Sequence, residues 1–331
     1  MLRRMDVRLI LPNGVTTHTA DELPALLARD DGLVWVDVPT CDGEAVKALG
    51  AAFGFHPLAL RDASVRNRVP KIHPYADHVF IVLHAPHFGA RGHVHYVELD
   101  QFIGPRYLVT VHGPANPAVP PDVPLRQTRD VLRRIESGRF VPGSAFELSY
   151  AIVSAITRLQ ETHVEDVTAE VWRLEQRVTA GHLGNPEQFL EELFQARHGL
   201  LAVRTMATLG GAIYGRLAGL ARAVPPEAHH LVVDVVDQFD RVRSVADGER
   251  EYLQGVIEFY KARTDTKMTI AAERLAVIAA ITLPITALSS VYGMNLIVSD
   301  HTQVPHLVAV LVIMAVMSAT LLGWAKRQGW W

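Results

Sequence analysis

The chain has 331 residues and a formal net charge of −3 at pH 7, with too little positive charge to hold a polyanion, so nucleic acid is excluded as an expected partner. Its single cysteine, Cys41, excludes an internal disulfide and suits a reducing compartment. The length leaves room for a sizeable soluble portion ahead of two apolar runs that occupy about the last sixth of the chain.

The opening MLRRMDVRLILPNG is basic, but its apolar run is too short for a signal peptide and no small-residue cleavage site follows. The residues ahead of the apolar runs are therefore expected to stay in the cytoplasm. Residues 1–140 alternate short β-like and helical runs, the pattern of an α/β domain. Val7–Leu11, Val34–Val38, Val79–His84, His93–Leu99 and Tyr107–Val111 read as strands. Gly43–Phe53 and Pro57–Asp62 read as helices, the second opened by a proline suited to a first turn. The close spacing of the last three strands predicts an antiparallel portion, while the strand order is not legible. No phosphate-cradling glycine loop occurs, so no nucleotide is expected, and no Cys/His spacing suits zinc. His78, His84, His87, His93 and His95 are expected on strand faces and loops rather than around one ion.

From Phe146 the apolar residues move to helical spacing, through Leu148, Ile152, Leu159, Val164, Val171 and Val178. The stretch Gly181 to Pro186 breaks that run, and a second helix continues to about Ala223 through Leu190, Phe194, Leu201 and Leu217. Residues 141–225 thus predict a long antiparallel helical hairpin, with Glu161, Glu165, Asp166 and Glu170 on a solvated face. Pro225-Pro226 stops the hairpin, and no proline follows until Pro284. A stalk helix over 226–274 is expected to continue into the membrane, about 65 residues and on the order of 100 Å in all.

Two runs are long enough to span a hydrocarbon core of about 30 Å. They cover 275–295 and 307–325, joined by an outer loop over 296–306. Lys261, Arg263, Lys267 and Arg274 precede the first, Lys326 and Arg327 open a basic and aromatic tail over 326–331, and the loop has no lysine or arginine. By the positive-inside rule both termini are cytoplasmic.

Along the first span, Thr269, Ala272, Ala276, Ala279, Leu283, Thr286 and Ser290 form a small, hydroxylated stripe. Ile270, Val277, Ile278, Ile281, Ile285 and Leu288 form a bulky one. The first stripe suits close packing or a water-filled lumen, and the second suits lipid. Pro284 cannot bond the carbonyl of Ala280, so a bend and a freed oxygen are expected there. Gly293 can take the left-handed conformation that ends a helix, and Asn295 adds a neutral amide oxygen. In a symmetric oligomer these atoms form a ring of neutral oxygens able to hold a hydrated cation and release it. With two spans per chain, such a pore needs more than two chains around a rotation axis.

Tyr292-Gly293-Met294-Asn295, ending the first of two C-terminal spans, resembles the signature of the CorA family of magnesium and divalent-cation channels, as does the Leu-Pro-x-Thr step at Leu283 to Thr286. Weaker phrases in family order are Trp35-Val36-Asp37-Val38, Phe55-His56-Pro57-Leu58, Arg68-Val69-Pro70-Lys71 and Val79-Phe80-Ile81-Val82-Leu83. The resemblance implies an α/β N-terminal cytoplasmic domain, a long helical hairpin, and a stalk helix continuing into a two-span transmembrane hairpin. It also implies a homopentamer in the inner (plasma) membrane, with the lipid bilayer and divalent cations as partners, carrying Mg2+ and, as further candidates, Co2+ and Ni2+. Magnesium prefers oxygen ligands and dehydrates reluctantly. Those oxygens would come from Gly293, Met294 and Asn295 at the outer mouth, and from Thr286 and Thr269 further in. Asp234 and Glu258 fall where relatives hold regulatory magnesium between subunits, with Asp237 one turn from Asp234. Ions held there would favour a closed state by linkage.

Two departures accompany the resemblance. Relatives commonly carry asparagine where Thr269 falls, and the outer loop lacks their Met-Pro-Glu-Leu phrase, offering Asp300, His301 and His306 instead. The alternatives are a zinc or other transition-metal transporter of the same fold, or a membrane-anchored sensor domain. An anchored enzyme would show a catalytic constellation in residues 1–140; none is present, and no enzyme activity is expected.

Overall fold

Six consecutive residues, LVWVDV at Leu33–Val38 (β3), are all buried. A strand covered on both faces needs no polar alternation, which is why this run is apolar apart from Asp37. The computed structural model describes residues 5–89, 92–181, 185–220, 222–293 and 304–327, which divide into two compact units, 1–256 and 257–331.

In the first unit β3 sits inside a seven-stranded sheet with β1 (Asp6–Leu11), β2 (Gly14–His18), β4 (Lys71–Pro74), β5 (Val79–Phe88), β6 (Val94–Ile103) and β7 (Tyr107–Val111). The order is β2-β1-β3-β7-β6-β5-β4. Strands β3 and β7 pair in parallel, with Trp35 opposite Leu108. The expected antiparallel portion is the β5-β6-β7 meander, with Val79 opposite Ile103 and Asp100 opposite Val111. Strands β2 and β4 escaped the sequence reading. Each lies at an edge of the sheet, and neither shows a buried stripe: β2 has no buried residue and β4 has only Ile72.

One sheet face is covered by α1 (Leu23–Leu27), α2 (Gly43–Phe53) and α3 (Pro57–Ser64); Leu49 of α2, Leu60 of α3 and Phe55 between them pack with Val36, Phe80, Phe102 and Val109. Local chemistry sets these helices. Asp42 accepts from the amides of Glu44 and Ala45 at the start of α2, and Gly54, at φ 68°, ends it. Helix α4 (Arg126–Glu136) was also missed, because its sequence is dominated by arginines and its only buried aliphatics are Val131 and Ile135.

The helical hairpin is α5 (Ala145–Ala180) and α6 (Pro186–Ala218). Ser144 caps α5 and Asn185 caps α6, each accepting a backbone N–H. Val164, Val171, Leu174 and Val178 are buried on α5, and Phe189, Leu193 and Leu200 on α6. An ion pair between Arg177 and Glu192 joins the end of one to the start of the other, as an antiparallel arrangement requires. Helix α6 stops at Ala218, short of Ala223.

Helix α7 (His229–Gly293) begins after Pro225-Pro226 and continues without interruption past Pro284. Its part in the first unit buries Val232, Val235, Phe239, Val242, Ala246 and Leu253. The crossing with α6 is close at Gly210, where an added Cβ would stand 2.7 Å from the Phe239 ring. The second unit holds the rest of α7 and α8 (Val304–Arg327). Both helices are long and apolar enough to cross a membrane. The fold thus has the expected α/β domain, long helices and apolar C-terminal pair.

Candidate ion pathway and regulatory site

Within the second unit the two stripes of the first span differ in what covers them. Thr269, Ala272, Ala276, Ala279, Leu283, Thr286 and Ser290 are all exposed. Val277, Ile281, Pro284, Ile285 and Leu288 are half-covered, and at about 100° per residue they fall on the opposite side of the helix. On α8 the covered positions, Val310, Met314, Met317, Ser318, Leu321 and Ala325, also form one stripe. The bulky side of α7 is thus partly covered and the small side is open. Of the residues expected to face lipid, Ile270 and Ile278 remain exposed, whereas Val277, Ile281, Ile285 and Leu288 are partly covered.

The hydroxyls on the open side are oriented by the helix itself. Thr286 donates to the carbonyl of Thr282 at 2.8 Å, and Thr269 to that of Asp265 at 3.0 Å. Each hydroxyl hydrogen is thus used internally, and the oxygen is left with lone pairs to offer as a neutral acceptor. Pro284 lies inside the continuous helix, and its missing N–H leaves the Ala280 carbonyl without the usual partner. Gly293 is exposed, and among the described residues no side chain lies within 4 Å of where its Cβ would stand. Met294 and Asn295, and with them Asp300 and His301 of the outer loop, lie outside the described residues.

Asp234 sits on the part of α7 that belongs to the first unit. Tyr150 on α5 donates to its Oδ2 at 2.7 Å, and Gln238, one turn along α7, donates to the same oxygen at 2.7 Å. Thr157 completes the set by donating to Gln238 Oε1 at 2.7 Å. The hydrogen bond from Tyr150, and then that from Gln238, hold the Asp234 carboxyl below the usual carboxylate range. Burial, and then the same contact with Asp234, push the Tyr150 phenol up. A groove of about 530 Å3 opens beside these residues and is also lined by Arg158, Glu161 and Arg241. Glu258 is exposed on α7 in the second unit, and Asp237 is exposed one turn from Asp234. Among the described residues, no three His, Cys, Asp or Glu side chains converge on an ion-sized position. His87 and His95 face each other across β5 and β6, and His93 lies beside His95, without forming such a group.

A buried polar network under the sheet was hidden in the sequence. Asp37 accepts from Thr110 at 2.5 Å and from His112 Nε2 at 2.8 Å on one oxygen, and from Thr128 at 3.2 Å on the other. Trp35 Nε1 donates to Thr110 at 3.1 Å. Burial raises the Asp37 carboxyl, but His112 and the hydrogen bonds outweigh it and bring it below its ordinary value. The network ties β3, β7 and α4 together and is structural. It gives the Trp-x-Asp phrase a physical role that spacing alone could not show.

An α/β domain, a long helical hairpin and two C-terminal helices long and apolar enough to cross a membrane are together the architecture to be matched. The sequence model of the CorA-like Mg2+ transporter proteins matches residues 30–327, and the chain belongs to that family. Its members are transporters or channels, so the chain is not an enzyme. It is 25% identical over 331 residues to the cobalt/magnesium transport protein CorA of Thermotoga maritima, covering 94% of this chain and 88% of that one. It is 24% identical over 304 residues to YfjQ of Bacillus subtilis, covering 89% of each. The complete structure of the CorA magnesium transporter from Methanocaldococcus jannaschii superposes with a TM-score of 0.81 over 100% of both chains, at 16% identity, which establishes the common fold.

Proposed function

We propose that this chain forms a homopentameric channel of the inner membrane, with both termini in the cytoplasm, that carries Mg2+ inward as a hydrated ion. Gly293 and Met294 carbonyls and the Asn295 amide make the outer ring of oxygens. Thr286 and Thr269 supply further neutral acceptors along the same side of α7, and Co2+ and Ni2+ are candidate co-substrates. One observation carries this reading: the bulky side of α7 is partly covered, whereas the stripe whose hydroxyl lone pairs are available is exposed. A lumen for a hydrated cation needs small residues and neutral oxygens, which hold the water shell without trapping the ion. The same stripe turned toward lipid would leave those acceptors unsatisfied.

Closure by intracellular Mg2+ is part of the proposal. Asp234 and Glu258 are assigned to it, and bound ions favour the closed state only to the extent of their differential affinity for it. Supporting this for Asp234 is its ionised carboxylate, held in one orientation by Tyr150 and Gln238.

The test is ion influx into proteoliposomes loaded with an indicator, comparing Mg2+, Co2+, Ni2+ and Zn2+. Entry of Mg2+ that falls as internal Mg2+ rises is expected. Entry of Zn2+ alone would assign the chain to a transition-metal transporter, and no entry by folded oligomer at low internal Mg2+ would leave a membrane-anchored sensor domain.

A further inference from the structure

The groove beside Asp234 gathers more positive charge than it neutralises. Arg134 from α4, Arg158 from α5 and Arg241 from α7 line one space of about 530 Å3, with the hydroxyls of Tyr150, Ser154 and Thr157. Two carboxylates, Glu161 and Asp234, face the same space. Both are engaged: Asp234 accepts from Tyr150 and Gln238, and Glu161 pairs with Arg241 at 3.8 Å. Arg134 lies over the Phe140 ring, 5.2 Å from its centroid, which uses the guanidinium face and leaves its N–H edges available. Arg158 makes no hydrogen bond or ion pair with the described residues.

Guanidinium forks match the oxygens of a phosphate two at a time. The volume of about 530 Å3 also falls in the range of small-ligand sites, roughly 300 to 1,000 Å3. We propose that this groove binds a phosphate-bearing anion, held chiefly by Arg158 and Arg134 and completed by Arg241. Because each arginine stands on a different helix, the bound anion ties α7 to α4 and α5 and restrains the stalk helix. The phosphate comes from a soluble ester or from the headgroup of an anionic lipid, and both present the same oxygens.

The experiment titrates the full-length protein, in phosphatidylcholine nanodiscs and EDTA, with inorganic pyrophosphate by calorimetry. EDTA separates the result from any metal at Asp234, so this site and the proposed Mg2+ regulation stand or fall independently. Saturable binding is expected, with the dissociation constant raised about tenfold by Arg158→Ala, equivalent to about 1.4 kcal/mol. Arg158→Lys should fall between, and Arg133→Ala, which removes a partner of Asp130 outside the groove, should bind as wild type. Nanodiscs containing phosphatidylglycerol assign the source. Competition with pyrophosphate identifies a lipid headgroup, unchanged affinity identifies a soluble phosphate, and either supports the site. Absence of saturable binding at millimolar pyrophosphate, or wild-type binding by both Arg158→Ala and Arg134→Ala, would overturn it.

Discussion

Tyr150 on α5 and Asp234 on α7 are joined by a 2.7 Å hydrogen bond in which the phenol donates to Oδ2. The same oxygen takes a second donor from Gln238, while Oδ1 has no hydrogen-bond partner among the described residues. One side of the carboxylate is thus anchored to the helical hairpin.

Tyr150→Phe keeps the ring and removes the donor. Because Asp234 is partly exposed, water replaces the lost bond in part, and the stability cost should be about 1 kcal/mol. The same change should raise the internal Mg2+ needed to halve influx, since the carboxylate is no longer held in place. A thermal melt and a flux titration on one preparation read both effects. An unchanged Mg2+ response would separate Tyr150 from regulation.

His163 on α5 stacks on Phe88 with ring centroids 3.3 Å apart, and burial, opposed by the charge of Asp166, pushes its imidazole down to about 4. A base whose folded value lies below its unfolded value of about 6.5 favours the unfolded state when protonated. Its contribution to stability is therefore complete above about pH 6.5 and is lost as pH falls toward about 4. His163→Gln should flatten the melting temperature between these two values. Parallel curves for variant and wild type would refute the assignment.

How far the sequence could be read depended on whether the signal was local. Periodicity of three and four exposed both faces of the first span, because each residue's position on a helix follows from its number alone. Which face is covered did not follow from number alone. The caps at Asp42, Ser144 and Asn185 are equally local. Thr110 and Thr128, by contrast, meet Asp37 from 73 and 91 residues away, and nothing at Asp37 announces them. Tyr150 is similarly distant from Asp234, by 84 residues. Helix α4 was illegible because arginines outnumber its buried aliphatics, and β2 because an exposed edge strand has no apolar face to display.

Thr286→Val preserves shape and removes the hydroxyl whose hydrogen is already bound to Thr282. If the outward lone pairs meet the water shell of the ion, Mg2+ influx should fall about fivefold, matching the ~1 kcal/mol of one neutral hydrogen bond. Oligomer size, read by scattering in detergent, should not change. Undiminished influx would place Thr286 in helix packing alone.

The proposed ring of neutral oxygens at the end of α7 loses its amides in Asn295→Ala, so initial Mg2+ influx through wild-type and variant protein in proteoliposomes is the decisive measurement. Rapid entry is expected for the wild type and loss of entry for the variant, with both forming the same oligomer. Wild-type influx through Asn295→Ala would contradict it.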